Sequence, residues 1–170
     1  TASFMAMLFC YGIAGAISVP AHDYARGYLG GTPYHSIWYM NAYLIPMSLT
    51  LIFVGNLTRK FGIKTMATYA PAVFIIGLIG SAIAVDSLVF IGCRMIQGVG
   101  AAICGGLAGG YLNGGIGKTH SDIGKGLFVV TFVFAGTLGV AYGGAISWHL
   151  SWRLVYASLA LIQFASWILI

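Results

Sequence analysis

The sequence contains very few charged residues. Only 6% of its 170 residues are charged, three of them acidic and eight basic, and none is Glu. A soluble domain carries about 25% charged residues, so this chain could not cover its surface with ionisable groups. With 59% apolar residues and a mean hydropathy of +0.93, the composition excludes a soluble globular enzyme, a nucleic-acid-binding protein and a disordered segment.

The sequence also lacks the residue groups that form catalytic or metal centres. Its three cysteines (Cys10, Cys93 and Cys104) lie in apolar stretches without metal-ligand spacing, and they are typical of small core residues. The four histidines lie in or near predicted loops, and no two of them have ligand spacing. Because no nucleophile–base, metal or phosphate-loop pattern is present, we expect neither an enzyme nor a bound cofactor.

Six long stretches of the chain contain a single charged residue between them, Arg94. A membrane-spanning helix needs about 20 apolar residues, and a lipid-facing β-barrel would instead show alternating polarity. We therefore predict an all-α membrane protein. Its six transmembrane helices are expected at residues 1–19, 37–56, 65–85, 87–113, 126–148 and 154–170.

The basic residues predict the orientation of these helices. Loops 2–3 and 4–5 hold five of them, Arg59, Lys60, Lys64, Lys118 and Lys125, whereas the other three loops hold Arg26 and Arg153. The positive-inside rule places the more basic side, and with it both chain ends, in the cytoplasm. The longest loop, residues 20–36, is expected to form an external cap. The chain begins and ends within apolar runs, so we expect a fragment of a longer protein.

Residues 55–64 predict a tight basic turn on the cytoplasmic side. Gly55 and Gly62 would allow two helix ends to approach and turn. Arg59, Lys60 and Lys64 would anchor the turn at anionic lipid headgroups. The simpler alternative is an ordinary loop that obeys the positive-inside rule.

Arg94 is the charged residue predicted to lie within the membrane. It follows Asp86 by eight residues, which places it about 12 Å along helix 4. A buried arginine costs at least about 2.5–3.5 kcal/mol, so it must face a water-filled cavity or a partner. Gln97, three residues further, shares its helix face and could bind the same carbonyl, water or carboxylate. The alternative is that Arg94 snorkels to the outer surface.

Glycine and tryptophan dominate the last two predicted helices. Gly139 and Gly143 form a GxxxG pair in helix 5, followed by Gly144, a pattern that favours close helix packing. Trp152 and Arg153 lie between helices 5 and 6, and Trp38 opens helix 2. These three residues are typical of the interface between lipid and water.

Three of these segments together resemble the N-terminal six-helix half of the major facilitator superfamily, over essentially the whole chain. Its loop 2–3 pattern, G-x-L-x-D-R-x-G-R-[RK], is similar to residues 55–64, where Gly55, Leu57, Gly62 and Lys64 match and Lys60 replaces Arg. Arg59 stands where the family has Asp, and Ile63 where it has a basic residue. Its helix 4 pattern, R-x-x-Q-G, is met by Arg94, Gln97 and Gly98. Its helix 5 antiporter pattern is met by Gly139, Gly143 and Gly144, with Val140 in place of Pro. Trp38 and the pair Trp152–Arg153 resemble the 14-helix drug:proton antiporter branch.

The resemblance implies a secondary active transporter of which residues 1–170 are one half. It implies proton-coupled efflux of drug-like or amphipathic solutes, with the bacterial inner membrane as the location. The implied partners are the lipid bilayer, a small-molecule substrate, protons and the missing C-terminal half, but no nucleic acid. That branch often carries a carboxylate in helix 1, where this chain has Tyr11. Two alternatives remain: a transporter of small anionic metabolites, and a non-transporting membrane scaffold or degenerate remnant.

Overall fold

A computed structural model of the chain describes residues 11–16, 18–114 and 121–168. Within these residues the structure is helical apart from short turns and contains no strand, which confirms the predicted all-α class. Helical residues 11–16 precede six numbered helices, which are α1 (Ser18–Tyr28), α2 (Pro33–Phe61), α3 (Ile63–Ile83), α4 (Ser87–Gly114), α5 (Ser121–His149) and α6 (Trp152–Ile168). Among the described residues, four long segments are apolar enough to cross a membrane, namely α2, α3, residues 87–110 of α4 and residues 128–149 of α5.

The helices form a bundle in which α4 is central. It packs against α2 and α3 over most of its length and also contacts α5, while α3 packs against α6 and α1 packs against α5. The turns at residues 29–32, 62, 84–86 and 150–151 are short, so the helices that they join run antiparallel. Arg153 at the start of α6 donates a hydrogen bond to the Ala84 carbonyl beyond the end of α3, at 2.8 Å. The α2–α3 turn therefore lies at the opposite end of the bundle.

Glycines allow the backbones around α4 to approach closely. A Cβ atom added at Gly100 would lie 2.5 Å from the Phe74 nitrogen of α3, and one added at Gly77 would lie 2.6 Å from the Gln97 nitrogen of α4. At Gly98, an added Cβ would collide with the Tyr43 carbonyl oxygen of α2. Small residues permit such contacts between membrane helices, where packing rather than hydrophobicity drives association.

The segment predicted as the longest loop is mostly helical, so the loop assignment is wrong. Helix α1 continues to Tyr28, α2 begins at Pro33, and residues 29–32 form the turn between them. Asp23 and Arg26, two of the polar residues that suggested a loop, share one face of α1 and form an ion pair at 3.7 Å. The other face carries Ala21 and Ala25, both fully buried, so the packing of this face supports the helix.

The predicted turn at residues 55–64 is shorter than expected. Helix α2 runs to Phe61 and α3 starts at Ile63, so Gly62 alone joins them, with φ +84° and ψ 149°. Only glycine adopts this backbone conformation readily. Gly55 instead lies within α2, and an added Cβ would meet no atom within 4 Å, so the turn does not require a glycine there.

Replacing Gly62 with Ala is expected to destabilise the protein by about 1–3 kcal/mol, because alanine is strained at this φ and ψ. Thermal unfolding of the detergent-purified protein would measure the loss. Gly55→Ala is the matched control, and its stability should equal or exceed that of the wild type because alanine favours the helix interior. Equal melting temperatures for both variants would contradict the assigned role of Gly62.

Parts of three predicted regions lie outside the described residues. They are residues 1–10 and 17 of helix 1, with Cys10, the segment 115–120 with Lys118 and His120, and residues 169–170 of helix 6. The side chain of Lys125 also lies outside the description.

Candidate functional site

Arg94 is fully buried at the centre of the bundle. Its exposed fraction is 0%, so the alternative in which it snorkels to the surface is wrong. The Arg94 Nε donates a hydrogen bond to the Tyr39 carbonyl oxygen of α2 at 3.2 Å. A terminal guanidinium nitrogen donates to Gln97 Oε1 at 2.7 Å, as their shared helix face predicted. Both bonds offset the cost of removing the charge from water.

Aromatic rings from two other helices enclose the guanidinium group. Its central carbon lies 4.5 Å from the ring centroid of Tyr43 on α2 and 5.9 Å from that of Tyr156 on α6. Such ring faces attract a cation, most strongly where water is excluded. Arg94 therefore connects α4 with both α2 and α6.

Three buried polar atoms around Arg94 have no hydrogen-bond partner within the described residues. They are Gln97 Nε2, the Tyr156 hydroxyl and His22 Nε2. The His22 ring meets the Tyr39 and Phe90 rings edge-on at centroid distances of 5.5 and 6.1 Å. Buried polar atoms are normally paired, so these unpaired atoms indicate sites that a water molecule or a substrate can occupy. We refer to Arg94, Gln97, His22, Tyr39, Tyr43 and Tyr156 as the Arg94 cluster.

The aromatic and histidine members of this cluster were not predicted. His22 was assigned to a loop region, whereas it lies in α1 with only 4% of its surface exposed. Tyr39 and Tyr43 are four residues apart on α2, and this spacing is the one signal that could have suggested a shared face. In the described part of the chain, no group of three or more His, Cys, Asp or Glu side chains could hold a metal ion.

Gly98 completes the predicted helix 4 pattern and lies at the contact between α4 and α2. An added Cβ would lie 3.2 Å from the Tyr43 carbonyl carbon and 3.4 Å from the Met47 nitrogen. The absence of a side chain thus lets α2 approach α4 closely enough for Arg94 to reach the Tyr39 carbonyl oxygen.

The basic residues near the α2–α3 turn are exposed at the end of the bundle. Arg59 donates a hydrogen bond to the Asn56 side chain, and the Lys60 ammonium lies 5.4 Å from the Phe61 ring centroid. Lys64 is exposed on the first turn of α3, and Leu57 is half-buried on α2. Apart from Gly62 and Lys64, the predicted turn residues therefore lie on the last turns of α2. Basic side chains there are stabilised by the negative end of the helix dipole.

Gly139, the first glycine of the predicted GxxxG pair in α5, packs against the helical residues 11–16. Gly139 and Gly143 are buried, and an added Cβ at Gly139 would lie 2.9 Å from the Ile13 carbonyl oxygen. At Gly144 an added Cβ would have a looser contact, 3.9 Å from Pro20. Gly139 therefore lies at a close helix contact of the kind that GxxxG pairs permit.

The tryptophans predicted at the membrane interface differ in exposure. Trp38 is 39% exposed near the start of α2, whereas Trp152 is only 5% exposed. Trp152 packs against Phe90 and Tyr156 at ring distances of 5.7 and 6.2 Å, so an aromatic cluster rather than the interface holds it. Arg153 is half-buried between Trp152 and Tyr28.

Comparisons with known proteins identify the kind of protein that this fold resembles. The family model of the Major Facilitator Superfamily matches residues 3–170. An "MFS-type transporter" of Aspergillus terreus is 31% identical over 81% of this chain and 25% of its own length. "Efflux pump hmp6" of Hypomyces subiculosus is 30% identical over 68% of this chain and 21% of its own length. The inward-open structure of the xylose transporter XylE from E. coli has a similar fold, with a TM-score of 0.77 at 16% identity, covering 98% of this chain and 46% of XylE.

Proposed function

The chain belongs to the major facilitator superfamily, and from this membership we propose that the complete protein exports drug-like or amphipathic solutes in exchange for protons. The similarity to a protein described as an efflux pump supports the direction of transport. The observation that carries the proposal is the Arg94 cluster, in which one buried cation contacts α2, α4 and α6 at once. A change in charge at this point alters the contacts of three helices together.

We propose His22 as the group in this cluster that takes up the proton. The resemblance places a carboxylate in helix 1, but Tyr11 stands there and packs against Phe132 at 5.5 Å. Histidine changes its charge near neutral pH, whereas arginine and tyrosine do not. Burial and the nearby positive charge of Arg94 hold the pKa of His22 well below its usual value, so His22 is neutral in this arrangement and takes up a proton only when the cluster opens. A proton on His22 therefore repels Arg94 and favours an arrangement in which α1 and α4 separate, as rocking of helices requires.

The chain spans a quarter or less of the two fungal relatives and under half of XylE. We propose that residues 1–170 form the N-terminal six-helix half of a transporter of the 14-helix branch, with both ends of this half in the cytoplasm. In this arrangement the residues near the α2–α3 turn, Gly55, Leu57, Arg59, Lys60, Gly62 and Lys64, form a cytoplasmic gate, and Gly139, Gly143 and Gly144 seal the pathway by close packing. The bacterial inner membrane remains a prediction, because both relatives described above are fungal.

The length of the native protein tests this arrangement directly. Epitope-tagging of the chromosomal gene and immunoblotting of membranes should detect a chain of about 400–530 residues, at about 35 residues per span and loop. A native product near 170 residues would overturn the two-half proposal and favour the scaffold.

A carrier of small anionic metabolites is the second candidate, and the positive charge of Arg94 supports it. An anion could displace Gln97 from the guanidinium group and use the unpaired Gln97 amide nitrogen as a second donor. This carrier would show tight, saturable competition among anions, whereas an exporter of amphipathic solutes accepts a broad range of compounds.

Energised membrane vesicles containing the full-length protein would distinguish the two candidates. We expect a panel of amphipathic aromatic cations, including ethidium, to be accumulated in inverted vesicles, and nigericin to stop this accumulation by collapsing the proton gradient. Accumulation of succinate instead of the cations would support the anion carrier. Failure to move either class would contradict both candidates.

The variant His22→Gln provides an internal control for proton coupling. Glutamine retains a hydrogen-bonding side chain but does not bind a proton, so downhill exchange of ethidium should continue while proton-driven accumulation is lost. Wild-type accumulation by this variant would rule out His22 as the proton acceptor.

A further inference from the structure

A cavity of about 590 Å³ lies at the end of the bundle where α1, α5 and α6 meet. Its walls include Tyr24 and Tyr28 of α1, Ser147 of α5, and Trp152 and Arg153 of α6, and none of its lining residues belongs to the Arg94 cluster. Its volume lies within the range of about 300–1,000 Å³ that is typical of sites for small organic ligands.

Two donors at this cavity have no acceptor in the described structure. The Nε of Arg153 is buried and unpaired, although a terminal nitrogen of the same guanidinium group donates to the Ala84 carbonyl oxygen at 2.8 Å. The Ser147 hydroxyl is also unpaired, in a residue of which only 7% is exposed. An Arg Nε–H can only donate, so an occupant that satisfies it must bring an acceptor oxygen.

The charges near the cavity favour an anion. In the described part of the chain, the one ion pair joins Arg26 and Asp23, so Arg153 forms none. Asp86 lies two residues beyond Ala84, but its carboxylate accepts the Val89 backbone N–H at the start of α4. The Arg153 guanidinium is held between the Tyr28 and Trp152 rings, at 4.8 and 5.3 Å, which fixes its orientation.

The surroundings of the cavity indicate which molecule carries the anion. Trp148 and Leu150 are 73% and 71% exposed beside it, and they lie at helix ends, where membrane proteins meet the lipid headgroups. A soluble phosphate would bind the donors but leave this apolar rim uncovered. A phospholipid covers both, because its phosphate joins a headgroup to acyl chains.

We propose that Arg153 and Ser147 bind a phosphate group in this cavity, and that an acidic phospholipid supplies it. The site ties the lipid to three helix ends, because Arg153 also holds the end of α3 through Ala84. Bound lipid therefore stabilises the bundle at the end opposite the α2–α3 turn. The proposal does not depend on the transport function.

Native mass spectrometry and thermal unfolding of the full-length, detergent-purified protein test this site. The probes are dioleoyl phosphatidylglycerol, dioleoyl phosphatidylcholine and inorganic phosphate. We expect phosphatidylglycerol to bind roughly tenfold more tightly than phosphatidylcholine and to raise the melting temperature, because the choline cation of phosphatidylcholine offsets the phosphate charge that attracts Arg153. If inorganic phosphate gives the same stabilisation and phosphatidylglycerol adds nothing, the lipid as the source of the phosphate is overturned.

Two variants and one control locate the binding to these residues. Arg153→Gln should remove the preference for phosphatidylglycerol, and Ser147→Ala should weaken binding about threefold to tenfold. Arg26→Gln, at the same end of the bundle, should bind phosphatidylglycerol like the wild type. If Arg153→Gln fails to fold, Ser147→Ala tests the site by itself, because this variant removes only one hydroxyl oxygen at the cavity wall. Unchanged lipid binding by Ser147→Ala would overturn the site.

Discussion

Replacing Arg94 with Ala is expected to abolish transport by the full-length protein while leaving its insertion into the membrane intact. The change removes the hydrogen bonds to the Tyr39 carbonyl oxygen and Gln97 Oε1, together with the cation between the Tyr43 and Tyr156 rings. Each charge-assisted hydrogen bond contributes about 1.5–3 kcal/mol, so a loss of at least ~100-fold in transport rate is expected if both act during transport.

The variant Arg94→Lys separates charge from geometry. A lysine ammonium retains the positive charge but lacks the planar fork that reaches two acceptors at once, so most of the activity should also be lost.

Insertion is measured from the abundance of each variant in washed membranes and from its size-exclusion profile. Arg26→Ala, which replaces a half-buried arginine paired with Asp23, is the matched control and should transport normally. Wild-type transport by Arg94→Ala in vesicles would contradict the role proposed for this residue.

The helices and the Arg94–Gln97 pair could be predicted because both are local properties of the sequence. Long apolar runs predict α2 to α5 without knowledge of their neighbours, and a spacing of three residues on a helix brings two side chains together. Helix α1 was missed beyond Val19 because composition alone does not show that Ala21 and Ala25 pack against other helices. Its polar residues were therefore interpreted as a loop.

The rest of the Arg94 cluster depends on how helices pack, which the local sequence does not determine. Tyr39 is 55 residues from Arg94 along the chain, and Tyr156 is on the last helix described. Their meeting depends on which helices are neighbours and how each is rotated about its axis. The same limit explains Trp152, whose position at a helix end suggested the interface, while contacts with Phe90 and Tyr156 bury it.

Gly98→Ala is expected to lower the stability of the protein more than a methyl group added at any other position on this face of α4. The new Cβ would collide with the Tyr43 carbonyl oxygen, and a helix backbone cannot move aside as a flexible side chain can. Overpacking of this kind costs about 1–3 kcal/mol. The midpoint of thermal unfolding in detergent should fall by several degrees.

Gly92→Ala is the matched control, because it adds the same methyl group to the same helix at a position with no atom within 4 Å. Its stability should be unchanged or increased, since alanine is favoured over glycine in a helix by about 0.8–1.0 kcal/mol. Gly98→Ala must also move α2 away from α4. Because the Tyr39 carbonyl oxygen lies one turn before Tyr43 on α2, Arg94 should lose this acceptor. Transport should therefore fall even in the folded fraction. Equal stability of the two alanine variants would contradict the close helix contact at Gly98. A destabilised Gly98→Ala protein that transports normally per folded molecule would show instead that the bond between Arg94 and Tyr39 is structural and not part of the transport cycle.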